Sequence, residues 1–166
     1  HSRDIEIDWV GAEDVEKDGA ANYLSNADGI VVPGGFGYRG VEGMVDTVKF
    51  ARENNVPYLG LCLGMQVMVI EAARNLLGKE GANSSEFDSD TKDPVIDLML
   101  DQVDVKEKGG TMRLGVYPCV IEDGSIISRA YGTKKIMERH RHRFEFNNAY
   151  KEDLKSVGLL PTGISP

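Results

Sequence analysis

Apolar and polar residues follow two different periods along the first eighty positions of the chain. Short apolar runs and period-two alternation predict strands, whereas apolar residues three and four positions apart predict helices. The predicted strands cover residues 5–10, 28–32 and 58–61. The predicted helices cover residues 41–54 and 65–77, and Gly78 supplies a stop after the second helix.

This alternation of strands and helices predicts an α/β fold, with a mainly parallel sheet flanked by helices. In such sheets, ligands bind at the carboxyl ends of the strands. Two glycine-bearing strand exits, Gly34-Gly35 and Cys62-Leu63-Gly64, are expected to open onto that edge. The two strand exits are therefore the first candidates for a catalytic or ligand-binding site.

The second half of the chain has a different pattern, which predicts a smaller β-rich portion. Residues 81–110 are polar and irregular, and strands are predicted over residues 111–121 and 125–130. Residues 139–146 alternate at period two, which would place three arginines on one strand face and two histidines with Phe144 on the other. No linker or repeat divides the chain, so we predict a single domain over residues 1–166.

Composition and charge exclude several classes of function. A length of 166 residues with 41% hydrophobic residues is ordinary for one globular domain. A net charge of −8 argues against general nucleic-acid binding, which needs a basic surface. The apolar runs fall short of the roughly 20 residues that a membrane span requires. Cys62 and Cys119 are expected to be reduced thiols in a cytoplasmic protein.

The candidate nucleophile is Cys62, in Gly60-Leu61-Cys62-Leu63-Gly64 between the third predicted strand and the helix that follows. The pattern G-x-C-x-G is the thiol form of the nucleophile elbow, in which glycines allow a sharp strand-to-helix turn. Backbone N–H groups at the start of the helix can then face a reacting carbonyl. The alternative is a small buried hydrophobe at a strand end, because free cysteine is often buried.

The loop Gly34-Gly35-Phe36-Gly37 also has two interpretations. It is either a tight turn or a source of backbone amides for a developing oxyanion. The arginine-rich strand over residues 139–143 is interpreted as a binding site for a carboxylate or a phosphate. Arginines paired with local carboxylates are the alternative.

A cysteine nucleophile usually needs a neighbouring base, and residue type alone makes His140 and His142 the candidates. Glu86 lies in an acidic, polar segment. It is either a solvated loop carboxylate or a ligand for the ammonium group of a substrate.

Several stretches carry a family resemblance when they are taken together. They are VPGGFGYRGVEGM at 32–44, FARENNVPYLGLCLGMQV at 50–67, ANSSEFD at 82–88, GGTMRLGVYPC at 109–119 and ERHRHRFEFNN at 138–148. In this order they resemble the glutamine amidotransferase (class I glutaminase) domain of CTP synthase, over nearly all of residues 28–158. The cysteine motif is general to class I amidotransferases, whereas GGTMRLG and ERHRHRFE point to the CTP synthase family.

The resemblance implies a flavodoxin-like amidotransferase fold in which Cys62 attacks the side-chain amide of glutamine. Ammonia would be released, and water would convert the glutamyl thioester to glutamate. Gln66, Glu86 and Arg143 would hold the backbone ends of glutamine. In full, the positions implied for glutamine and the oxyanion hole are Gly34, Gly35, Leu63, Gly64, Met65, Gln66, Glu86 and Arg143.

The resemblance also implies cofactors and partners. Arg39 and the GGTMRLG segment would belong to the region through which GTP activates the glutaminase. A synthase domain of the same enzyme would use the ammonia, ATP and Mg²⁺ to aminate UTP to CTP, in a homotetramer. Within this domain we expect no cofactor and no metal, and we expect neither nucleic acid nor membrane as a partner.

Two parts of the family pattern are not found in these 166 residues. The family base is a histidine paired with a glutamate in a later H-P-E motif, and a strand and helix come before the segment at 5–10. We therefore predict a glutaminase domain shortened at both ends, without the synthase domain, and inactive by itself. The alternatives are a regulatory or nucleotide-binding module with an inert cysteine, and another class I amidotransferase-like amidase.

Overall fold

The computed structural model describes residues 4–98 and 113–166. It divides into two compact units, His1–Glu71 and Ala72–Pro166, and each is described by itself. The single domain expected from the sequence stays a prediction. Within the described residues, no helix combines the length and the apolarity needed to cross a membrane.

The first unit alternates helices with short strands. Its elements are α1 (Ala12–Asp18), α2 (Ala21–Leu24), β1 (Ile30–Val32), α3 (Val41–Glu53), β2 (Tyr58–Gly60) and the start of α4 (Leu63–Asn75). The two strands pair in parallel, with Ile30 opposite Tyr58 and Val32 opposite Gly60. The strands and helices predicted between residues 28 and 77 are therefore confirmed, with small differences at their ends.

The core of the first unit lies where the first three helices meet the inner face of β1. Its buried members are Val15, Ala20, Leu24, Ile30, Val32 and Ala51. Asp46 of α3 accepts a hydrogen bond from the Ala20 N–H at 2.8 Å, which fixes the start of α2. Apolar burial of this kind contributes about 1.5–3 kcal/mol for each large side chain.

Residues 5–10 do not form the strand that their alternation predicts, and they are irregular. Ile5 is 83% exposed and Trp9 is 89% exposed, so the apolar side chains of this segment lie in solvent. Alternation produces a strand only where a neighbouring strand completes the backbone hydrogen bonds. Among the strands that the structure describes, none pairs with this segment.

The second unit is mostly antiparallel. After the end of α4 its elements are β3 (Asn83–Ser84), β4 (Pro94–Leu98), β5 (Arg113–Ile121), α5 (Ile126–Tyr131), β6 (Lys135–His142), β7 (Phe144–Phe146), a 3₁₀ turn (Asn148–Tyr150), α6 (Lys151–Ser156) and β8 (Gly163–Ile164). One sheet has the order β3-β4-β7, in which β3 and β4 are parallel, and the other has the order β6-β5-β8. This is the β-rich portion expected from the sequence.

Residues 125–130 form most of α5 and its N-cap, so the strand predicted there is wrong. Ser125 caps the helix, because its side-chain oxygen accepts from the Ser128 N–H at 3.0 Å. Gly132 ends it in the left-handed conformation, with a φ of 66°. The helix signals at its two ends, a serine cap and a glycine stop, therefore outweigh the strand preference of the β-branched Ile126 and Ile127.

The alternation predicted for the arginine-rich strand is present in β6. Arg139 and Arg141 are exposed, whereas His140 and His142 are half-buried. Arg143 departs from the prediction, because it lies in the bend between β6 and β7 and is half-buried. It therefore does not share the exposed face of the other two arginines. Residues 109–112 of the GGTMRLG segment lie outside the described residues.

Candidate active site

The corner between β2 and α4 holds Cys62 in an uncommon backbone conformation. Its φ is 55°, in the left-handed region that residues with a side chain rarely adopt. The thiol is free and the residue is half-buried. A non-glycine residue held in this way at a strand-to-helix turn has the geometry of a nucleophile elbow. The corner predicted from G-x-C-x-G is therefore present.

Two glycines make the corner possible because backbone segments touch there. A Cβ on Gly60 would lie 2.5 Å from the carbonyl carbon of Gly64, which leaves no room for a side chain. A Cβ on Gly64 would collide with the carbonyl oxygen of Val32 in β1. Packing therefore requires both glycines of the motif, independently of any chemistry.

The glycine loop after β1 lies against the same corner. A Cβ on Gly34 would be 3.2 Å from the Cβ of Cys62 and 3.6 Å from its Sγ. A Cβ on Gly35 would be 3.2 Å from Cδ2 of Leu63. The two glycine-bearing strand exits therefore meet, because β1 and β2 are neighbours in a parallel sheet.

Backbone N–H groups at the corner fall into two sets. Gly64 donates to the Leu61 carbonyl at 3.0 Å, and Met65 and Gln66 both donate to the Cys62 carbonyl at 3.1 Å. Within residues 4–98 and 113–166, no acceptor receives the N–H groups of Gly34, Gly35 and Leu63. Gly34 packs against Cys62 and Gly35 packs against Leu63, so these N–H groups are candidates to donate to an oxyanion formed at the corner.

Tyr58 is part of the corner, and sequence reasoning misses it. Its hydroxyl donates to the carbonyl oxygen of Gly64 at 2.8 Å. Burial raises the pKa of this phenol well above its ordinary value, so the hydroxyl keeps the proton that it donates. The available signal was an aromatic residue with a polar tip in the strand that leads to the cysteine.

A partly buried ion pair joins α3 to α4, and the sequence pattern does not predict it. Arg52 donates to Oε1 of Glu71 through Nε at 3.0 Å and through Nη2 at 2.8 Å. Glu71 is 1% exposed, and its hydrogen bonds raise the pKa of the Arg52 guanidinium. Charged hydrogen bonds of this kind are roughly twice as strong as neutral ones, so the pair fixes the helix that begins beside Cys62.

Arg39, the candidate for the GTP-responsive region, lies on the surface of the first unit. Its Nε donates to Glu13 at 2.6 Å. This hydrogen bond lowers the pKa of the Glu13 carboxyl and raises that of Arg39. The two residues line an open depression together with Glu16, Lys17, Tyr38 and Gly40. A role of this depression in GTP binding stays a prediction.

The residues expected to hold the ends of glutamine are divided between the units. Gln66 is buried near the start of α4. Glu86 and Arg143 belong to the second unit, and Glu86 is exposed there. The Nε of Arg143 is buried without a hydrogen-bond partner in the described residues, and its guanidinium lies 6.0 Å from the centre of the Phe144 ring. Their approach to Cys62 stays a prediction.

The histidines considered as bases lie together on the half-buried face of β6. Nδ1 of His140 and Nδ1 of His142 are 3.3 Å apart. Burial lowers the pKa of both imidazoles, and the charge of Arg113 lowers that of His140 further. Both rings are therefore neutral near pH 7. With Glu145 they form a group, within the described residues, that could hold a metal ion.

The matches to known proteins extend over nearly the whole chain. A family model described as glutamine amidotransferase class-I matches residues 2–164. Among solved structures, the glutaminase domain of Trypanosoma brucei CTPS with bound acivicin matches with a TM-score of 0.89 and 41% identity. That match covers 97% of this chain and 62% of the other.

Two relatives match along the sequence. The CTP synthase of Dehalococcoides mccartyi is 60% identical over 166 residues, which is 100% of this chain and 30% of the relative. The CTP synthase of Staphylococcus aureus is 51% identical over 165 residues, which is 99% of this chain and 31% of the relative. The chain therefore spans slightly less than a third of the length of these relatives.

Proposed function

The chain belongs to the class-I glutamine amidotransferase family, and we propose that it is the glutaminase part of a CTP synthase. The observation that carries the proposal is the contact between Cys62, in its strained corner, and the glycine loop at Gly34. A thiol in this position has backbone amide donors beside it. Such an arrangement suits attack on a carbonyl carbon with stabilisation of the oxygen.

The reaction would proceed in two steps at Cys62. First, the thiolate forms a C–S bond to the side-chain amide carbon of glutamine, and the carbonyl oxygen takes up the negative charge. The N–H groups of Gly34, Gly35 and Leu63 would donate to that oxygen. Collapse breaks the C–N bond, and the nitrogen leaves as ammonia with a proton from the general acid. Water then attacks the thioester, breaks the C–S bond and yields glutamate and the thiol.

The glutamine backbone would be recognised by opposite charges. The Glu86 carboxylate is suited to pair with the substrate ammonium group, and the Arg143 guanidinium is suited to a bidentate contact with the substrate carboxylate. The buried Nε of Arg143, which has no partner among the described residues, supports this role. A buried donor without a partner is costly, and a substrate carboxylate would supply the missing acceptor.

The ammonia would be consumed in the larger protein. We propose that a synthase domain of the same polypeptide uses ATP and Mg²⁺ to aminate UTP to CTP. GTP would activate the glutaminase through the region around Arg39, and the complete enzyme would be a homotetramer. The CTP synthases that match this chain along about 30% of their length support the presence of a further domain.

The test uses the complete polypeptide and measures release of glutamate from glutamine. We expect a Cys62→Ala variant to lose at least about 10³-fold in kcat, because it lacks the nucleophile. Cys119→Ala is the matched control and should keep wild-type turnover. Normal turnover in the Cys62→Ala variant would refute the proposal.

A labelling experiment separates the glutaminase from a binding module with an inert cysteine. A chloroketone analogue of glutamine should alkylate Cys62, and an excess of glutamine should block the reaction. Peptide mapping identifies the modified residue. Absence of labelling in the intact protein would favour the binding module instead.

A further inference from the structure

Three potential metal ligands converge in the second unit, and none of them is a residue proposed to bind glutamine. They are His140, His142 and Glu145, and one ligand atom from each lies within 4.8 Å of the other two. All three residues are half-buried, unlike carboxylates that meet by chance on an exposed surface. We propose that they form a binding site for a divalent cation of the zinc class. The proposal replaces the expectation from the sequence that this domain binds no metal.

The two histidines are positioned by the regular geometry of β6. Residues two apart on a strand point to the same face, and the rings of His140 and His142 meet there edge to face, with centroids 5.4 Å apart. Their Nδ1 atoms are 3.3 Å apart. Two nitrogens bound at about 2.0–2.1 Å to a tetrahedral Zn²⁺ are themselves about 3.3–3.4 Å apart. The observed separation therefore equals one edge of a zinc coordination tetrahedron.

A hydrogen bond between the rings is the other explanation for their proximity. At 3.3 Å the two Nδ1 atoms are close enough for an N–H···N hydrogen bond, in which one ring donates and the other accepts. Such a bond would involve the two rings alone, and the Glu145 carboxylate would then have Arg113 as its partner. A shared cation accounts for all three residues together.

Neighbouring side chains hold two of the three ligands in place. The ring of Tyr117 meets His140 edge to face, with centroids 5.6 Å apart and an interplanar angle of 89°. Nη1 of Arg113 donates to Oε1 of Glu145 at 3.0 Å. Groups that contact ligands in this way orient them for the metal. Each carboxylate oxygen has two lone pairs, so Glu145 can bind Arg113 and a cation at once.

The ligand set favours one class of cation. Two imidazoles and one carboxylate suit Zn²⁺ and Co²⁺, with a fourth position open to water, whereas Mg²⁺ and Ca²⁺ prefer oxygen ligands alone. The Arg113 guanidinium, which pairs with Glu145 at 3.0 Å, is a positive charge that opposes the binding of a cation. We therefore expect micromolar affinity, weaker than that of a closed structural zinc site.

The test titrates the complete, chelator-treated polypeptide with Zn²⁺ against a chromophoric chelator, and with Co²⁺ by visible spectroscopy. We expect a site whose Co²⁺ spectrum is tetrahedral and lacks the thiolate charge-transfer band that Cys62 or Cys119 would give. His140→Gln, His142→Gln and Glu145→Gln should each weaken Zn²⁺ binding at least about tenfold. Glutaminase activity is not part of the readout.

Two control variants keep the result specific. Glu138→Gln changes a carboxylate on the same strand that accepts from Tyr131 at 2.8 Å and is outside the group, so Zn²⁺ binding should be unchanged. His1→Gln tests binding by the first residue of the sequence and should also have no effect. Wild-type affinity in folded His142→Gln overturns the proposal, as does a wild-type Kd above about 1 mM. If a histidine variant fails to fold, the Zn²⁺ affinity of the near-isosteric Glu145→Gln variant tests the proposal instead.

Discussion

The hydroxyl of Tyr58 and the carbonyl oxygen of Gly64 are joined by a 2.8 Å hydrogen bond across the corner that holds Cys62. The left-handed conformation of a residue with a side chain costs roughly 1–2 kcal/mol. Contacts on both sides of the corner must therefore offset that cost. This hydrogen bond is one of them, because it connects the start of β2 to the first turn of α4.

Removing that hydrogen bond should destabilise the corner. We expect Tyr58→Phe to lower the free energy of unfolding by about 1–2 kcal/mol, because the Gly64 carbonyl loses a partly buried hydrogen-bond donor. Urea denaturation measures the change. Tyr38→Phe is the control, since Tyr38 is exposed and should leave stability unchanged. An equal effect of the two substitutions would mean that the Tyr58 hydroxyl does not stabilise the corner.

Crowding the nucleophile should slow the reaction. A Cβ on Gly34 would press on Cys62 at 3.2 Å, so we expect Gly34→Ala to reduce kcat for glutamate release about tenfold to a hundredfold. Gly81→Ala is the matched control, because a Cβ on Gly81 meets nothing within 4 Å. Neither glycine has a positive φ, so backbone strain does not distinguish them. Wild-type turnover in Gly34→Ala would contradict this reading of the contact.

Breaking the ion pair between Arg52 and Glu71 should cost more than breaking a surface pair. We expect Glu71→Gln to lower the free energy of unfolding by about 2–3 kcal/mol. This is less than the roughly 3–5 kcal/mol expected for a fully buried pair, because the side chain of Arg52 is 34% exposed. Chemical denaturation measures the loss. Glu13→Gln, which breaks the exposed pair with Arg39, should give no measurable change. Equal losses would show that burial does not strengthen the first pair.

Replacing the guanidinium of Arg143 should weaken glutamine binding without lowering the stability of the protein. A lysine cannot make the bidentate contact, so we expect Arg143→Lys to raise KM for glutamine about tenfold or more while thermal stability stays nearly constant. Arg141→Lys is the control, because Arg141 is exposed on β6. Steady-state kinetics of the complete polypeptide supply the measurement. An unchanged KM would remove Arg143 from the proposed glutamine site.

The fold class and the family resemblance are confirmed by the match to the class-I amidotransferase model and by the T. brucei neighbour. The corner at Cys62 could be predicted because both of its glycines lie within the motif itself. Gly60 is required by contacts within the turn, whereas Gly64 is required by its close approach to Val32 of the neighbouring strand. The meeting with Gly34 also followed, since adjacent parallel strands end at the same edge.

Some features of the fold could not be predicted, because they depend on contacts between residues that are far apart along the chain. Arg52 and Glu71 are 19 residues apart, and nothing in either helix pattern specifies that they meet. The segment at 5–10 has the alternation of a strand but no pairing strand among the described residues. The helix at Ile126–Tyr131 has a local cause instead, because the cap at Ser125 and the stop at Gly132 favour a helix over the strand preference of its isoleucines.

Because Cys62 has a φ of 55°, the residue that gives the most stable backbone at this position differs from the residue that the reaction needs. Glycine, and to a lesser degree asparagine, adopts this conformation more readily than cysteine does. A laboratory evolution experiment that rewards heat resistance alone should therefore drift toward those residues at this position and lose the thiol. Keeping cysteine there requires a screen that also demands turnover, because the backbone and the chemistry favour different amino acids.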